Sequence, residues 1–106
     1  MKKSLQITAL AAATLAIGLG AALAGSDMPG ITKTEIKIGN TNPYSGPASS
    51  YGTIGKSLAA CWNMVNDKGG INGRKIKWIS YDDGYSPPKT KEQIRKLVER
   101  DEVAFT

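Results

Sequence analysis

The sequence predicts an α/β protein with a partial Rossmann-like parallel sheet in the order β-α-β-α-β. Two segments of alternating apolar and polar residues are typical of strands, and each is followed by apolar residues at helical spacing. Residues rich in glycine or proline separate these segments. Because a strand, a helix and a strand in this order form a βαβ unit, the strands should be parallel with a right-handed crossover.

The first strand is predicted from residue 35 onwards, where Ile36 and Ile38 alternate with charged side chains and share one face. Residues 42–52, NPYSGPASSYG, are dense in proline, glycine and serine. Such a composition favours a loop, because proline fixes φ and glycine permits positive φ. This loop would leave the carboxyl end of the first strand and lead into the first helix.

Residues 53–68 predict the first helix, which the glycine pair at 69–70 should end in a left-handed conformation. Cys61 is expected to be a small buried core side chain, and Trp62 is expected to pack between helix and sheet. Trp78 of the second strand is expected to pack in the same way. The predicted apolar face of the helix consists of Ile54, Leu58, Cys61, Trp62 and Val65.

An Asn-Gly dipeptide predicts a tight turn before the second strand, residues 74–81. Ser86 is the expected N-cap of a second helix that begins at Pro87 and continues to about Arg100. The predicted faces of the second strand are Ile76, Trp78 and Ser80 on one side and Lys75, Lys77, Ile79 and Tyr81 on the other.

The second helix should bury Ile94, Leu97 and Val98 and keep its basic residues in solvent. Residues 103–105, Val-Ala-Phe, then predict the start of a third, buried strand. Three short strands and two helices form a thin core. We expect the isolated chain to be unstable, because small domains bury too little surface.

The amino-terminal segment, residues 1–24, predicts a cleavable secretory signal. Two lysines near the start precede an uncharged apolar run at residues 7–24, which ends in the small-residue motif Ala-Leu-Ala. An uncleaved membrane anchor is less favoured, because alanine and glycine dominate the run. A lipoprotein signal would need a cysteine after the cleavage site, and the single cysteine, Cys61, lies far downstream. Residues 25–34 would form a flexible leader.

Composition narrows the possible functions. The 106 residues carry 14 Lys+Arg and 9 Asp+Glu, a net charge of +5 that falls to +3 without the two lysines of the signal. Because no basic stripe with interleaved aromatic residues is present, nucleic acid is not an expected partner. The chain has no histidine and lacks the G-x-G-x-x-G and Walker lysine motifs. We therefore expect no catalytic residue, no metal and no cofactor.

The loop at residues 42–52 is the best candidate for a ligand site, because ligands of open parallel sheets bind outside the carboxyl ends of strands. The helix that follows offers unpaired backbone N–H groups, which suit a carboxylate. An ordinary loop that caps the sheet is the alternative. The side chains placed to face a cleft are Tyr44, Ser45, Ser49, Ser50 and Tyr51.

Asp82 and Asp83 stand at the carboxyl end of the second strand. Paired acids at this position either tether a loop by accepting N–H bonds or hold a divalent cation. Loop tethering is the favoured interpretation.

Three stretches together resemble the branched-chain amino-acid-binding proteins, the type I periplasmic binding proteins of ABC importers. EIKIGNTNPYSGPASSYG is similar to that family's first strand and cleft loop. VNDKGGINGRKIKWISYDDGYSPPK is similar to its Gly-Gly-Ile-x-Gly turn, second strand, double aspartate and proline-begun helix, and IRKLVERDEVAF to its second helix and third strand. The resemblance implies two α/β lobes that close on a small solute about a hinge without breaking any bond.

The resemblance assigns residues 35–106 to an incomplete, truncated amino-terminal lobe, the first part of lobe 1. It implies that Tyr51 and Ser45 bind the ligand, that the ligand is an amino acid or an analogue, and that the partner is an ABC permease in the inner membrane. The implied location is the periplasm. Two other hypotheses stay open: a ligand-sensing receptor ectodomain of the same fold, and an exported flavodoxin-like enzyme that uses Asp82 and Asp83 with a metal.

Overall fold

The computed structural model describes residues 28–106, so the predicted signal at residues 1–24 lies outside the described residues. The order of elements confirms the predicted α/β class, and their bounds lie within one residue of those predicted. The elements are β1 (Glu35–Asn42), a 3-10 turn (Ser49–Tyr51), α1 (Gly52–Asp67), β2 (Lys75–Asp82) and α2 (Pro87–Glu99).

β1 and β2 form a parallel pair that stays in register over the full length of both strands. Ile38 and Ile76 are buried on one face of this pair, and α1 covers that face. Trp62 packs against Trp78 there, with ring centroids 6.5 Å apart and an interplanar angle of 41°. The predicted helix–sheet packing of both tryptophans is confirmed, although neither indole N–H meets an acceptor within residues 28–106.

α2 covers the opposite face of the sheet. Its Leu97 is fully buried and lies against Gly39 of β1. A Cβ atom at Gly39 would come within 2.8 Å of Leu97 Cδ2, so β1 must lack a side chain here for α2 to approach. Val103, just beyond α2, is also buried, and its N–H donates to the Leu97 carbonyl over 3.1 Å. Helices on both faces make this the start of a doubly wound sheet.

The connection from α1 to β2 follows the predicted turn chemistry. The glycines at 69–70 both have positive φ, 104° and 81°. Asn72 and Gly73 have φ of 50° and 77°, as a two-residue hairpin turn requires. Ile71 and Arg74 exchange both backbone hydrogen bonds across this turn. These positions confirm the predicted helix end and tight turn.

Asn66, near the end of α1, bonds to β2 in a way that the sequence analysis missed. Its Nδ2 donates to the Ile76 carbonyl over 2.8 Å, and the Ile76 N–H donates to its Oδ1 over 2.7 Å. The side-chain amide thus satisfies both backbone groups of one residue of β2. This pair of bonds fixes the end of α1 to the sheet.

The predicted third strand is reduced to a single parallel bridge between Ile38 and Phe105. The Ala104 N–H also donates to the Lys37 carbonyl over 2.9 Å. A buried strand was predicted, whereas Phe105 is exposed. Glu102 has a positive φ of 52°, so extended backbone after α2 can begin only beyond it.

Three predictions of buried helical side chains are also wrong. Cys61 and Ile54 of α1 are exposed, and so is Val98 of α2. Each helix has a stripe of apolar side chains, and the two-stranded sheet is too narrow to cover the full width of that stripe. Only the centre of each stripe is covered, by contacts such as those of Trp62 and Leu97.

Residues 28–34, which overlap the predicted leader, are bonded to β1. The Lys37 N–H donates to the Gly30 carbonyl over 2.8 Å, and Ile31 forms an antiparallel bridge with Ile36. The flexibility of residues 25–34 stays a prediction.

Replacing Leu97 with alanine should lower the free energy of unfolding by about 2–5 kcal/mol, because the change leaves a cavity at a fully buried position. Urea unfolding of the full-length gene product, followed by circular dichroism, measures the loss. Val98→Ala is the matched control on the same helix and should change stability by less than about 0.5 kcal/mol. Equal losses for the two variants would contradict the described packing of α2.

Candidate functional site

Asp82, the last residue of β2, joins the two loops at the carboxyl edge of the sheet. Its Oδ1 accepts the backbone N–H groups of Tyr44, Ser45 and Gly84 over 2.9, 3.2 and 2.9 Å. Its Oδ2 accepts the Ser45 hydroxyl over 2.5 Å, and Lys89 Nζ lies 3.9 Å away. One carboxylate therefore holds the loop after β1 to the loop after β2.

These bonds lower the pKa of Asp82 to about 2. The hydroxyl of Ser45 is the largest cause, followed by the N–H of Gly84. Each donor stabilises the charged form of the carboxylate, so the group stays ionised at neutral pH. The favoured interpretation, that the acids tether a loop, is confirmed for Asp82.

Asp83 holds the start of α2 in place. The residue is buried, its Oδ1 accepts the Tyr85 N–H over 2.9 Å, and its Oδ2 accepts the Thr90 hydroxyl over 3.1 Å. Ser86 occupies the predicted N-cap position, but its side chain makes no capping hydrogen bond. Between Met28 and Thr106, no group of three or more His, Cys, Asp or Glu side chains is placed to hold a metal ion.

Tyr44 faces the interior of the fold, which corrects the prediction that it faces a cleft. Its hydroxyl bonds to that of Ser80, which donates in turn to Asn40 Oδ1 over 2.6 Å. A Cβ atom at Gly55 of α1 would overlap the Tyr44 hydroxyl and lie 2.7 Å from its Cζ. Glycine is thus required for α1 to approach the tyrosine ring so closely.

An open depression of about 430 Å³ lies at the carboxyl edge of the sheet, where ligands of parallel sheets bind. Asn42 is buried, and its Nδ2 donates to the Tyr51 carbonyl over 3.1 Å, which fixes the 3-10 turn to the end of β1. Its Oδ1 makes no hydrogen bond within the described part of the chain. The depression is lined by Asn42, Pro43, Tyr51, Ile54 and Tyr85.

The structure separates the residues that the sequence placed together. Tyr51 lines the depression with an exposed ring. Ser45 does not line it, and its hydroxyl is bonded to Asp82. Ser49 and Ser50 are exposed in the 3-10 turn but do not line it either.

Asn42 and Tyr85 belong to the depression and were missed by the sequence analysis. Tyr85 follows the Asp-Asp-Gly sequence at the carboxyl end of the second strand. The rule that ligands bind outside such strand ends could have identified it.

The model of the periplasmic binding protein family matches residues 35–106, which is most of the chain and includes every strand and helix named above for the described residues. This chain belongs to the periplasmic binding protein family. None of the helices described between residues 28 and 106 is long and apolar enough to cross a membrane.

Two relatives with described ligands are similar to this periplasmic binding protein. A leucine-, isoleucine-, valine-, threonine- and alanine-binding protein of Pseudomonas aeruginosa is 32% identical over 85 residues, 79% of this chain and 22% of the relative. The Leu/Ile/Val-binding protein homolog 1 of Brucella abortus is 38% identical over 72 residues, 67% of this chain and 19% of the relative. The resemblance to branched-chain amino-acid-binding proteins is thereby confirmed. The chain spans about a fifth of the length of these relatives.

Two solved structures share the fold. A possible leucine/isoleucine/valine-binding protein of Rhodopirellula baltica superposes with a TM-score of 0.61 and 28% identity, covering 69% of this chain and 20% of that structure. A fatty acid ABC transporter substrate-binding protein of Thermomonospora curvata gives a TM-score of 0.62 with 26% identity, covering 76% of this chain and 21% of that structure. The described residues therefore form part of a type I periplasmic binding protein lobe.

Acid should weaken the fold through Asp82. Because folding lowers the pKa of this carboxylate, its contribution is complete above the unfolded pKa of about 4 and is lost as the pH falls towards 2. The melting temperature of the wild-type protein should exceed that of Asp82→Asn at pH 5, and the gap should close between pH 4 and pH 2.

Melting curves by circular dichroism at several pH values give this gap. Asp67→Asn is the matched control, because this exposed carboxylate makes no side-chain hydrogen bond within residues 28–106. A gap for Asp82→Asn that stays constant from pH 5 to pH 2 would contradict the role given to the Asp82 bonds.

Proposed function

We propose that this chain is part of the substrate-binding component of an ABC importer for amino acids or related small solutes. The observation that carries the proposal is the family match over residues 35–106, together with the open depression at the carboxyl edge of the matched sheet. The names of the compared relatives describe binding proteins for leucine, isoleucine, valine, threonine and alanine, and for a fatty acid. We infer that the chain acts by binding and release, and that it catalyses no reaction.

Tyr51 is the proposed ligand contact from the first loop. The residue is 60% exposed, and its carbonyl accepts a hydrogen bond from the buried Asn42, so its backbone is fixed before a ligand arrives. Ser45 is proposed to contact the ligand from the same loop but from outside the depression, because its hydroxyl oxygen keeps an acceptor position while it donates to Asp82. Residues 35–106 would form the opening part of the amino-terminal lobe.

The proposed partner is the permease of the importer in the inner membrane, and the proposed location is the periplasm. Membership of the periplasmic binding protein family supports this location. The signal predicted at residues 1–24 supports it independently, because a basic start, an apolar run and a small-residue site direct export.

Isothermal titration of the full-length gene product tests the binding function. L-leucine, L-isoleucine, L-valine, L-threonine and L-alanine are the first ligands, and we expect micromolar or tighter binding of at least one. Tyr51→Ala should weaken that binding about tenfold, because the solute side chain loses burial against the ring. Roughly 55 Å² of apolar surface at about 25 cal/mol per Å² gives the required ~1.4 kcal/mol.

Tyr51→Phe is the matched control and should bind within about threefold of wild type if the ring makes the contact. D-glucose is the negative ligand. A correctly folded protein that binds none of these amino acids, and no other small carboxylate in a wider screen, would contradict the proposed function.

Export should remove the first 24 residues. Amino-terminal sequencing of the protein from a periplasmic fraction should begin at Gly25, because cleavage follows the Ala-Leu-Ala motif. Replacing Ala24 with a bulky leucine should block this cleavage and leave a longer, membrane-associated form. A wild-type protein that retains Met1 and stays in the cytoplasm would contradict the proposed location.

A further inference from the structure

Tyr85 has a backbone conformation that its own packing does not explain. Its φ is 60°, in the left-handed region that tyrosine rarely adopts, and the residue is 74% exposed. The Tyr85 hydroxyl makes no hydrogen bond to any other described residue. Strain of this kind persists only where the surroundings fix it, and it is concentrated at functional sites.

The two aspartates provide that fixed backbone. Asp82 accepts the Gly84 N–H and the buried Asp83 accepts the Tyr85 N–H, each over 2.9 Å. Gly84 also has a positive φ, of 55°. Two successive left-handed residues are thus held by two carboxylates. The result is a loop that projects the Tyr85 ring instead of burying it.

The ring projects at the rim of the depression described above. Tyr51 and Ile54 line the same depression and are 60% and 54% exposed. Tyr51 and Tyr85 do not pack on each other, since the one aromatic pair found within residues 28–106 is Trp62 with Trp78. The depression therefore offers two separate aromatic surfaces and an aliphatic one, all without an internal partner.

We propose that Tyr85 is a second ligand-contacting residue and that it favours a solute with an aromatic side chain. This assignment rests on the proposed binding function. A planar ring placed against Tyr51 or Tyr85 gains offset or edge-to-face contact in addition to burial, whereas an aliphatic chain gains burial alone. Tyr85 thus determines which side chain the site prefers, while the carboxylate and ammonium of the solute are common to all candidates.

Titration of the full-length gene product with L-phenylalanine, L-leucine and L-alanine tests this role. Wild type should bind L-phenylalanine at least as tightly as L-leucine. Tyr85→Asn should weaken L-phenylalanine binding about five- to tenfold and change L-alanine binding less than about twofold. Asparagine is chosen because it tolerates the left-handed conformation, so the loop can keep its shape without the ring.

Two controls separate ligand contact from folding. Tyr85→Phe keeps the ring and should bind L-phenylalanine within about twofold of wild type. Met64→Ala removes an exposed apolar side chain on α1 that lies outside the depression, so it should leave the affinity for all three ligands unchanged. The melting temperature of Tyr85→Asn should equal or exceed that of wild type. A lower melting temperature, with equal losses for all three ligands, would show a structural role and overturn the proposal.

The remaining outcomes are also decisive. Binding of L-leucine without any binding of L-phenylalanine would overturn the aromatic preference and leave the proposed function intact. Binding of L-phenylalanine that Tyr85→Asn does not weaken would overturn the role of Tyr85 alone. A protein that binds no amino acid would overturn the proposed function, and this inference with it.

Discussion

The carboxylate of Asp82 is the interaction on which the carboxyl edge of this protein depends. It stands at the end of β2, yet three of its four hydrogen bonds go to the loop after β1. The fourth bond, to Gly84, shapes the loop after β2. Because a charged acceptor forms stronger hydrogen bonds than a neutral one, this single side chain gives two sequence-distant loops a common position. The depression between Tyr51 and Tyr85 exists because those loops are held together.

The same edge shows how closely backbone and side chains must fit beneath the depression. Gly55 lets α1 approach the Tyr44 ring, and the Tyr44 hydroxyl bonds to Ser80 of β2. On the other face of the sheet, Gly39 lets Leu97 of α2 pack directly against β1. Each glycine removes a Cβ atom at a point where a helix meets the sheet, so both helices are positioned by contacts that begin at the sheet and extend to the loops.

Much of this arrangement could be predicted from the sequence, because local signals agreed with the fold. The alternation around Ile36 and Ile38, the Asn-Gly turn and the Ser-Pro helix start each specify one element through φ preferences or side-chain period. The exposure of Cys61 could not be predicted, since helical spacing shows which side is apolar but not how much of it the sheet covers. The place of Tyr85 could not be predicted either, because it depends on a left-handed backbone conformation that is rare for tyrosine.

The hydrogen bonds at the carboxyl edge favour a rigid rather than an adaptable surface around the depression. Ordering a loop upon binding costs free energy that reduces affinity, and a loop already fixed by hydrogen bonds avoids that cost. Here the backbone groups next to Tyr51 and Tyr85 are bonded to Asn42 and Asp83, both of which are buried. The two tyrosine rings can still rotate, but the backbone atoms that carry them cannot move far. These two loops should therefore keep the same shape with and without a solute, which is what the proposed contacts of Tyr51 and Tyr85 require.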